Sequence, residues 1–108
     1  MKANQLTQGQ ERGVMYLENK DGLLEGAQAR IGWVTFSKSG RTVYYAGRSL
    51  KAIGGRGVRG NFIDEQSGEE FWVSGIKKRG SNAHANESTS VVIDDDAKDE
   101  YERLRQDA

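Results

Sequence analysis

The sequence contains no cysteine and no proline, and it has one histidine among its 108 residues. Without cysteine there are no disulfides and no thiolate metal sites. Without proline, the turns depend on the fourteen glycines, which tolerate the backbone conformations that tight turns need. The chain also lacks a long apolar run and an apolar N-terminal signal segment, so we expect a cytoplasmic protein with no membrane partner.

Charge is distributed unevenly along the chain, although 16 basic and 16 acidic residues leave a net charge of zero. Residues 38–80 hold nine bases and four acids, whereas residues 81–108 hold three bases and eight acids. Segregated charge indicates a charged partner more directly than the net charge does. The alternative is internal neutralisation, in which the acidic tail folds back on the basic segment.

Short strands separated by glycine turns predict the fold class. They indicate one mainly β domain, a small antiparallel barrel or strongly twisted sheet of about 5–6 strands with one C-terminal helix near residues 95–106. Residues 1–12 are polar and show no periodicity, which predicts a disordered tail. Residues 13–108 are then the single domain.

The segment Arg30–Lys38 is the strongest predicted strand because apolar side chains lie on both of its faces. Ile31 and Trp33 point one way and Val34 points the other. Burial on both sides is typical of a tightly curved sheet or a small barrel. Ser39-Gly40 predicts a hairpin turn, after which the next strand begins at Thr42.

That next strand is predicted to run through Gly47, which we interpret as a bulge or bend, and to continue to Ile53. Further strands are predicted at Val14–Glu18, from Phe62, at Glu69–Ile76 and at Val91–Ile93. Asp94–Asp96 then predict a helix start, because carboxylates cap free backbone N–H groups. Tyr101 and Leu104 fall on one face of this short helix and must dock on the sheet for it to be stable.

The residues that could carry catalysis are isolated from one another. His84 lies in a polar segment, without an acidic neighbour in a rigid element, which argues against general acid–base chemistry. Residues 55–60 match G-x-G-x-x-G, but a strand follows where dinucleotide binding requires a helix. We therefore expect no enzyme activity, no cofactor and no metal ion.

Charged and aromatic residues are the remaining candidates for a site. Because side chains alternate along a strand, only one of Tyr44 and Tyr45 can face solvent. The predicted partner-binding residues are Arg41, Arg48, Lys51, Arg56, Arg59, Tyr45, Trp72, Lys77, Lys78, Asp95, Asp96, Asp99 and Glu102.

These residues favour a non-catalytic protein-binding module, most concretely an immunity or antitoxin-type protein that neutralises a cognate bacterial toxin by charge-complementary docking. The acidic tail would meet a nucleic-acid-cleaving toxin, and the arginine loop would meet an acidic partner. The alternative is a barrel that binds single-stranded nucleic acid through the basic, aromatic face of residues 38–60. An enzyme of a type that no motif identifies is a third class.

Three stretches carry a resemblance to a known family. They are residues 29–49 (ARIGWVTFSKSGRTVYYAGRS), residues 68–80 (GEEFWVSGIKKRG) and residues 91–104 (VVIDDDAKDEYERL). The chain resembles a family of small uncharacterised bacterial proteins, some of which carry the name deoxyxylulose phosphate synthase. A thiamine-diphosphate enzyme requires a much longer chain and a cofactor cradle, so the resemblance implies a domain from about Gly13 to Leu104 and no established activity.

Overall fold

The computed structural model describes residues 11–54, 59–80 and 89–106. In these ranges the strands are β1 (Glu11–Asn19), β2 (Ala29–Phe36), β3 (Thr42–Tyr45), β4 (Arg48–Ala52), β5 (Phe62–Asp64), β6 (Glu70–Ser74) and β7 (Val91–Ile93). One turn of 3-10 helix, Asp95–Ala97, leads into α1, Lys98–Gln106. The first strand begins two residues before the predicted domain boundary, and residues 1–10 of the predicted disordered tail lie outside the described residues.

The first six strands form a closed barrel. Their order around it is β1-β6-β5-β4-β3-β2, all neighbours are antiparallel, and β1 pairs with β2 to close the ring. β7 is added to β2 in parallel. The predicted mainly β fold with one C-terminal helix is confirmed, and of its two forms the molecule adopts the barrel.

Side chains of β1, β2 and β6 alternate between the barrel interior and a second cluster outside it. The interior cluster consists of Leu17, Leu24, Val34, Val43, Tyr45, Leu50, Phe71 and Val73. Full burial of a ring such as that of Phe71 contributes about 1.5–3 kcal/mol. The prediction that β2 is buried on both faces is confirmed, because Val34 lies in the barrel and Ile31 lies in the outer cluster.

The outer cluster is covered by the C-terminal helix. Its buried members are Val14, Tyr16, Ala29, Ile31 and Ala97. Tyr101 and Leu104 of α1 pack against them, as predicted, together with Trp33 and Trp72. The helix therefore covers the outer face of β1, β2 and β6, whereas no residue of β3 or β4 belongs to this cluster.

The segment after Thr42 differs from the prediction, because it forms two strands instead of one. Ala46 and Gly47 have φ values of 50° and 78°, and the residues that flank them, Tyr45 and Arg48, are paired. Two successive residues with positive φ form the two-residue turn whose twist matches that of a hairpin. The prediction of a bulge or bend at Gly47 is wrong, since the glycine serves a chain reversal.

Candidate functional site

Arg48, a predicted partner contact, is used inside the molecule. Its Nη1 donates to Asp64 Oδ2 at 2.7 Å and to Glu69 Oε1 at 3.2 Å, and its guanidinium lies 5.3 Å from the centroid of the Phe71 ring. Burial alone would raise the pKa of Asp64, but N–H donors of Gln66 and the turn, with Arg48, lower it. Arg48 therefore anchors the β5–β6 turn to β4.

Arg59 is also used internally, at the end of the glycine-rich loop. Its guanidinium pairs with Asp21, and its backbone N–H donates to Glu70 Oε1 at 2.9 Å. Gly60 follows where the chain passes so close to β6 that a Cβ would overlap the Phe71 carbonyl group. The loop end is thus fastened to the barrel, and Arg56, another predicted contact, lies outside the described residues.

Tyr45 and Asp94 form a polar bridge where β2 changes partner from β3 to β7. The Tyr45 hydroxyl donates to Asp94 Oδ2, and Arg30 Nη1 donates to Asp94 Oδ1 at 2.8 Å. Burial, with the hydrogen bond to Asp94, raises the pKa of the Tyr45 phenol. Tyr45 is only 8% exposed, which corrects its prediction as a surface contact.

The same bridge corrects the predicted role of Asp94 at the helix start. Asp94 is the N-cap residue of the 3-10 turn, but its side chain makes no capping hydrogen bond. Both carboxylate oxygens instead bind groups from β2 and β3. Both bonds are charge-assisted, which makes them stronger than bonds between neutral groups.

Trp72, Lys77 and Lys78 occupy different surroundings. The Trp72 ring is half-buried in the outer cluster below the helix, so little of it can reach a partner. Lys77 and Lys78 are exposed, and the Lys77 carbonyl accepts a hydrogen bond from Arg105 at 2.9 Å. This contact holds the start of the segment after β6 against α1.

We call one exposed surface of the barrel the basic hairpin face. It consists of Lys38 and Arg41 from the turn before β3, Tyr44 of β3 and Lys51 of β4. Lys51 stands opposite Thr42 across the β3–β4 ladder, and Tyr44 is 40% exposed. Lys51 pairs with Glu65 at 2.8 Å. That neighbour raises the pKa of the Lys51 ammonium.

Two members of this face, Lys38 and Tyr44, were not among the individually named contacts, although both lie in the predicted basic, aromatic face of residues 38–60. A signal for Tyr44 was present in the sequence: Val43 is the apolar residue that the core requires. Strand alternation then places Tyr45 inside with it and Tyr44 outside.

The acidic helix face consists of Asp95, Asp96, Asp99 and Glu102, all of them exposed. Asp99 and Glu102 lie three residues apart on α1, which places them on one side of the helix about 5–6 Å apart, and Asp95 lies in the 3-10 turn before the helix. Asp95 pairs with Lys98 at 3.1 Å, and this carboxylate is 98% exposed. All four predicted acidic contacts are therefore available on one helical element.

The two charged faces are carried by different elements. The acidic helix face belongs to the 3-10 turn and helix that cover the outer cluster, and the basic hairpin face belongs to β3, β4 and the turn before them. Among the ion pairs of the described residues, none joins a member of one face to a member of the other. Each face therefore presents its own charge to a partner.

The described ranges lack a cluster of metal ligands and a helix that could span a membrane. Within residues 11–54, 59–80 and 89–106 there is no group of three or more His, Asp or Glu side chains that could hold a metal ion. In the same ranges no helix has the length and apolarity needed to cross a membrane.

The fold and the two faces define a small closed β-barrel with a C-terminal helix and segregated surface charge. No protein-family model, no curated protein and no solved structure matches the chain. The resemblance to small bacterial proteins stays a prediction, and the function is inferred from the geometry of the faces.

Proposed function

We propose that the protein is a non-catalytic, cytoplasmic protein-binding module that docks its acidic helix face on a basic surface of a protein partner. Its most concrete form is an immunity or antitoxin-type protein that blocks a bacterial toxin. The observation that supports this proposal is a set of exposed acids, Asp99 and Glu102 on one side of α1 and Asp95 in the 3-10 turn before it. Of the predicted contacts, these acids stay exposed, whereas Arg48 and Tyr45 are used internally.

The packing of the helix on the barrel suits the binding of a partner. Ala97 is fully buried, and Tyr101 and Leu104 pack on the outer cluster, so the acids are presented on an anchored element. Anchoring lowers the conformational entropy that is lost on binding. Fixed carboxylates steer a basic partner and select it over acidic ones, because like charges in apposition cost several kcal/mol.

A nucleic-acid-cleaving toxin is the partner class that fits this set of acids best. Such an enzyme holds the phosphate backbone of its substrate with Lys and Arg side chains. A set of carboxylates presents negative charges to those same side chains. Binding of the acidic helix face would then block the substrate groove without any chemistry on the inhibitor.

The test is capture of the partner from native cytoplasm at about 150 mM salt, where loose charge contacts are screened. Nuclease treatment first removes bridging nucleic acid. The bait is the wild-type chain, the double variant Asp99→Lys with Glu102→Lys, or the control Lys38→Glu with Arg41→Glu, which reverses two charges on the basic hairpin face. We expect one stoichiometric protein, whose toxic activity the wild-type chain and the control block and the helix variant does not.

Two results would contradict the proposal. The first is capture and inhibition that are unchanged by the helix variant. The second is loss of both in the basic-side control alone, which would place docking on the basic hairpin face.

A further inference from the structure

The basic hairpin face contains two adjoining depressions. One is lined by Ser39, Arg41, Thr42, Lys51 and Ala52, and the other by Glu11, Phe36, Ser37, Lys38, Ser39 and Gly40. Ser39 belongs to both. Among the described residues, the lining of the first depression has two cationic side chains, two hydroxyl groups and no acid, a composition that suits an oxyanion.

Two hydroxyl groups of the hairpin accept hydrogen bonds from the backbone. The Arg41 backbone N–H donates to Ser39 Oγ at 3.3 Å, and the Thr42 backbone N–H donates to Ser37 Oγ at 3.0 Å. The two oxygens, Ser37 Oγ and Ser39 Oγ, lie 3.5 Å apart, and either can be the donor of the bond between them. When Ser37 donates, the Ser39 hydrogen is left for an anion in the first depression, which also receives charge from Arg41.

The cations of this face are weakly engaged. Within the described part of the chain, neither Lys38 nor Arg41 forms an ion pair. Lys51 pairs with Glu65, but the two side chains are 55% and 45% exposed. Exposed pairs of this kind contribute little, so an arriving phosphate can compete with Glu65 for the Lys51 ammonium.

An aromatic ring stands beside the cations. Thr42 and Lys51 are paired across the β3–β4 ladder, and Tyr44 is paired with Ser49 one step further on the same face. Two residues of strand separate Thr42 from Tyr44, about 7 Å, a distance that one nucleotide can bridge. Tyr44 is 40% exposed, whereas most other rings are packed into the two clusters.

We propose that the basic hairpin face binds single-stranded nucleic acid, with a phosphate in the depression at Arg41 and Lys51 and the adjacent base stacked on Tyr44. An arginine fork matches phosphate oxygens in two hydrogen bonds, and base stacking on an exposed ring tolerates any sequence. A duplex keeps its bases stacked inside, and an acidic peptide has no flat ring for Tyr44. This binding does not depend on the acidic helix face and goes beyond the function proposed for it.

The experiment is fluorescence anisotropy of labelled oligothymidylate and oligoadenylate, each about 12 nucleotides long, with the full chain. It is done at about 50 mM and about 200 mM salt, since phosphate contacts appear in the salt slope. The variants are Arg41→Ala, Tyr44→Ser, Tyr44→Phe and the control Arg103→Ala, which removes one cation from the helix side. Circular dichroism confirms that each variant is folded.

We expect Arg41→Ala to weaken binding about tenfold and to reduce the salt slope by about one. Tyr44→Ser should also cost about tenfold, while Tyr44→Phe should bind like the wild type because it keeps the ring. Arg103→Ala should change affinity less than about twofold, since Arg103 belongs to α1 and its charge is paired there with Glu100.

Several results would overturn the proposal. They are no binding at about 50 mM salt, equal losses in Arg41→Ala and Arg103→Ala, or binding that ignores Tyr44→Ser. Affinity for a duplex as high as for the single strand would exclude the stacking. Displacement of the oligonucleotide by a polyglutamate peptide at equal charge, or self-association that Arg41→Ala abolishes, would assign the face to an acidic protein or to a second copy.

Discussion

Gly32 and Gly60 are positions where the side chain must be absent because another part of the chain occupies its place. A Cβ on Gly32 would overlap the Asp94 carboxylate and the Tyr45 ring, and one on Gly60 would overlap the carbonyl group of Phe71. Neither glycine is among those with positive φ. At both positions glycine is required because there is no room for a Cβ atom. The residues next to each glycine in the sequence do not show this.

Gly32→Ala should therefore destabilise the protein by about 1–3 kcal/mol, since the added methyl displaces Tyr45 or Asp94 from their hydrogen bond. The matched control is Gly75→Ala, because the position of that Cβ is open and its φ is not positive. Urea unfolding of both variants measures their free energies of unfolding. Equal free energies of unfolding would show that the chain relaxes around Gly32 without loss.

Among single residues, Asp64 makes the stability of the fold depend on pH. Its pKa in the folded protein is lowered, because donors from the turn and Arg48 outweigh the effect of burial; its pKa in the unfolded chain is about 3.9. A depressed carboxylate pKa stabilises the fold above the unfolded value, and this stabilisation is lost as the pH falls through the folded value. The hydrogen bond from Arg48 also lowers the pKa of Glu69, so Glu69 changes the stability with pH in the same direction.

Asp64→Asn should thus lower the free energy of unfolding at neutral pH and make it fall less steeply below about pH 4. The amide can still accept from the Gln66 N–H, a bond of 2.8 Å in the wild type, but it offers no charge to Arg48. Urea unfolding from neutral to acid pH measures the difference. Parallel pH curves for the variant and the wild type would refute this role of Asp64.

At the scale of elements, the sheet is completed by a side chain. β5 has only three residues, yet Asn61, just before it, continues its pairing with β6. The Asn61 Nδ2 donates to the Val73 carbonyl at 2.8 Å, and its Oδ1 accepts from the Val73 N–H at 2.8 Å. The side-chain amide therefore takes the place of a peptide group in the ladder.

Substitution of Asn61 separates the two bonds. Asn61→Ala should destabilise the protein by about 1–3 kcal/mol and expose the Val73 amide to exchange, because a buried donor loses its partner. Asn61→Asp keeps an acceptor for that N–H and should preserve its protection, while it still loses the bond to the carbonyl. Hydrogen exchange followed by NMR reads Val73 directly, and continued protection in Asn61→Ala would disprove the bridging role.

At the scale of the whole molecule, β1 is the strand that closes the barrel. It pairs with β2 from Glu11 to Glu18 and with β6 from Tyr16 to Asn19. Both of its faces are packed, one in the interior and one below the helix. The helix α1, by contrast, rests on the barrel from one side and has no fully buried residue of its own.

Native-state hydrogen exchange should follow this difference. The amides of Tyr16, Leu17 and Ile31 should open only with global unfolding, whereas those of α1 should exchange faster through local unfolding of the helix. Exchange measured by NMR at increasing low concentrations of urea distinguishes the two. Equal opening free energies in β1 and α1 would mean that barrel and helix unfold as one unit.

The sequence by itself determined the element types and the sides on which they are packed. Ile31 and Val34 on opposite faces of β2, and Tyr101 with Leu104 on one face of α1, are periodic signals. Periodicity depends on local backbone geometry, which is the same wherever the strand or helix lies. These predictions are confirmed for that reason, and they included the mainly β class and the docked helix.

Only the tertiary structure decided which charged residues are left for a partner. Arg48 is bound by Asp64, Arg59 by Asp21, and Asp94 by Arg30 and Tyr45. Each of these groups meets a partner at least 16 residues away along the chain, which only the folded molecule brings near. Composition gives the number of charges but not the distances between them. The interaction energy of two charges depends on their separation and on their burial. The folded molecule therefore uses part of the basic segment for internal contacts, leaves a smaller basic face exposed, and keeps the acids of the helix exposed.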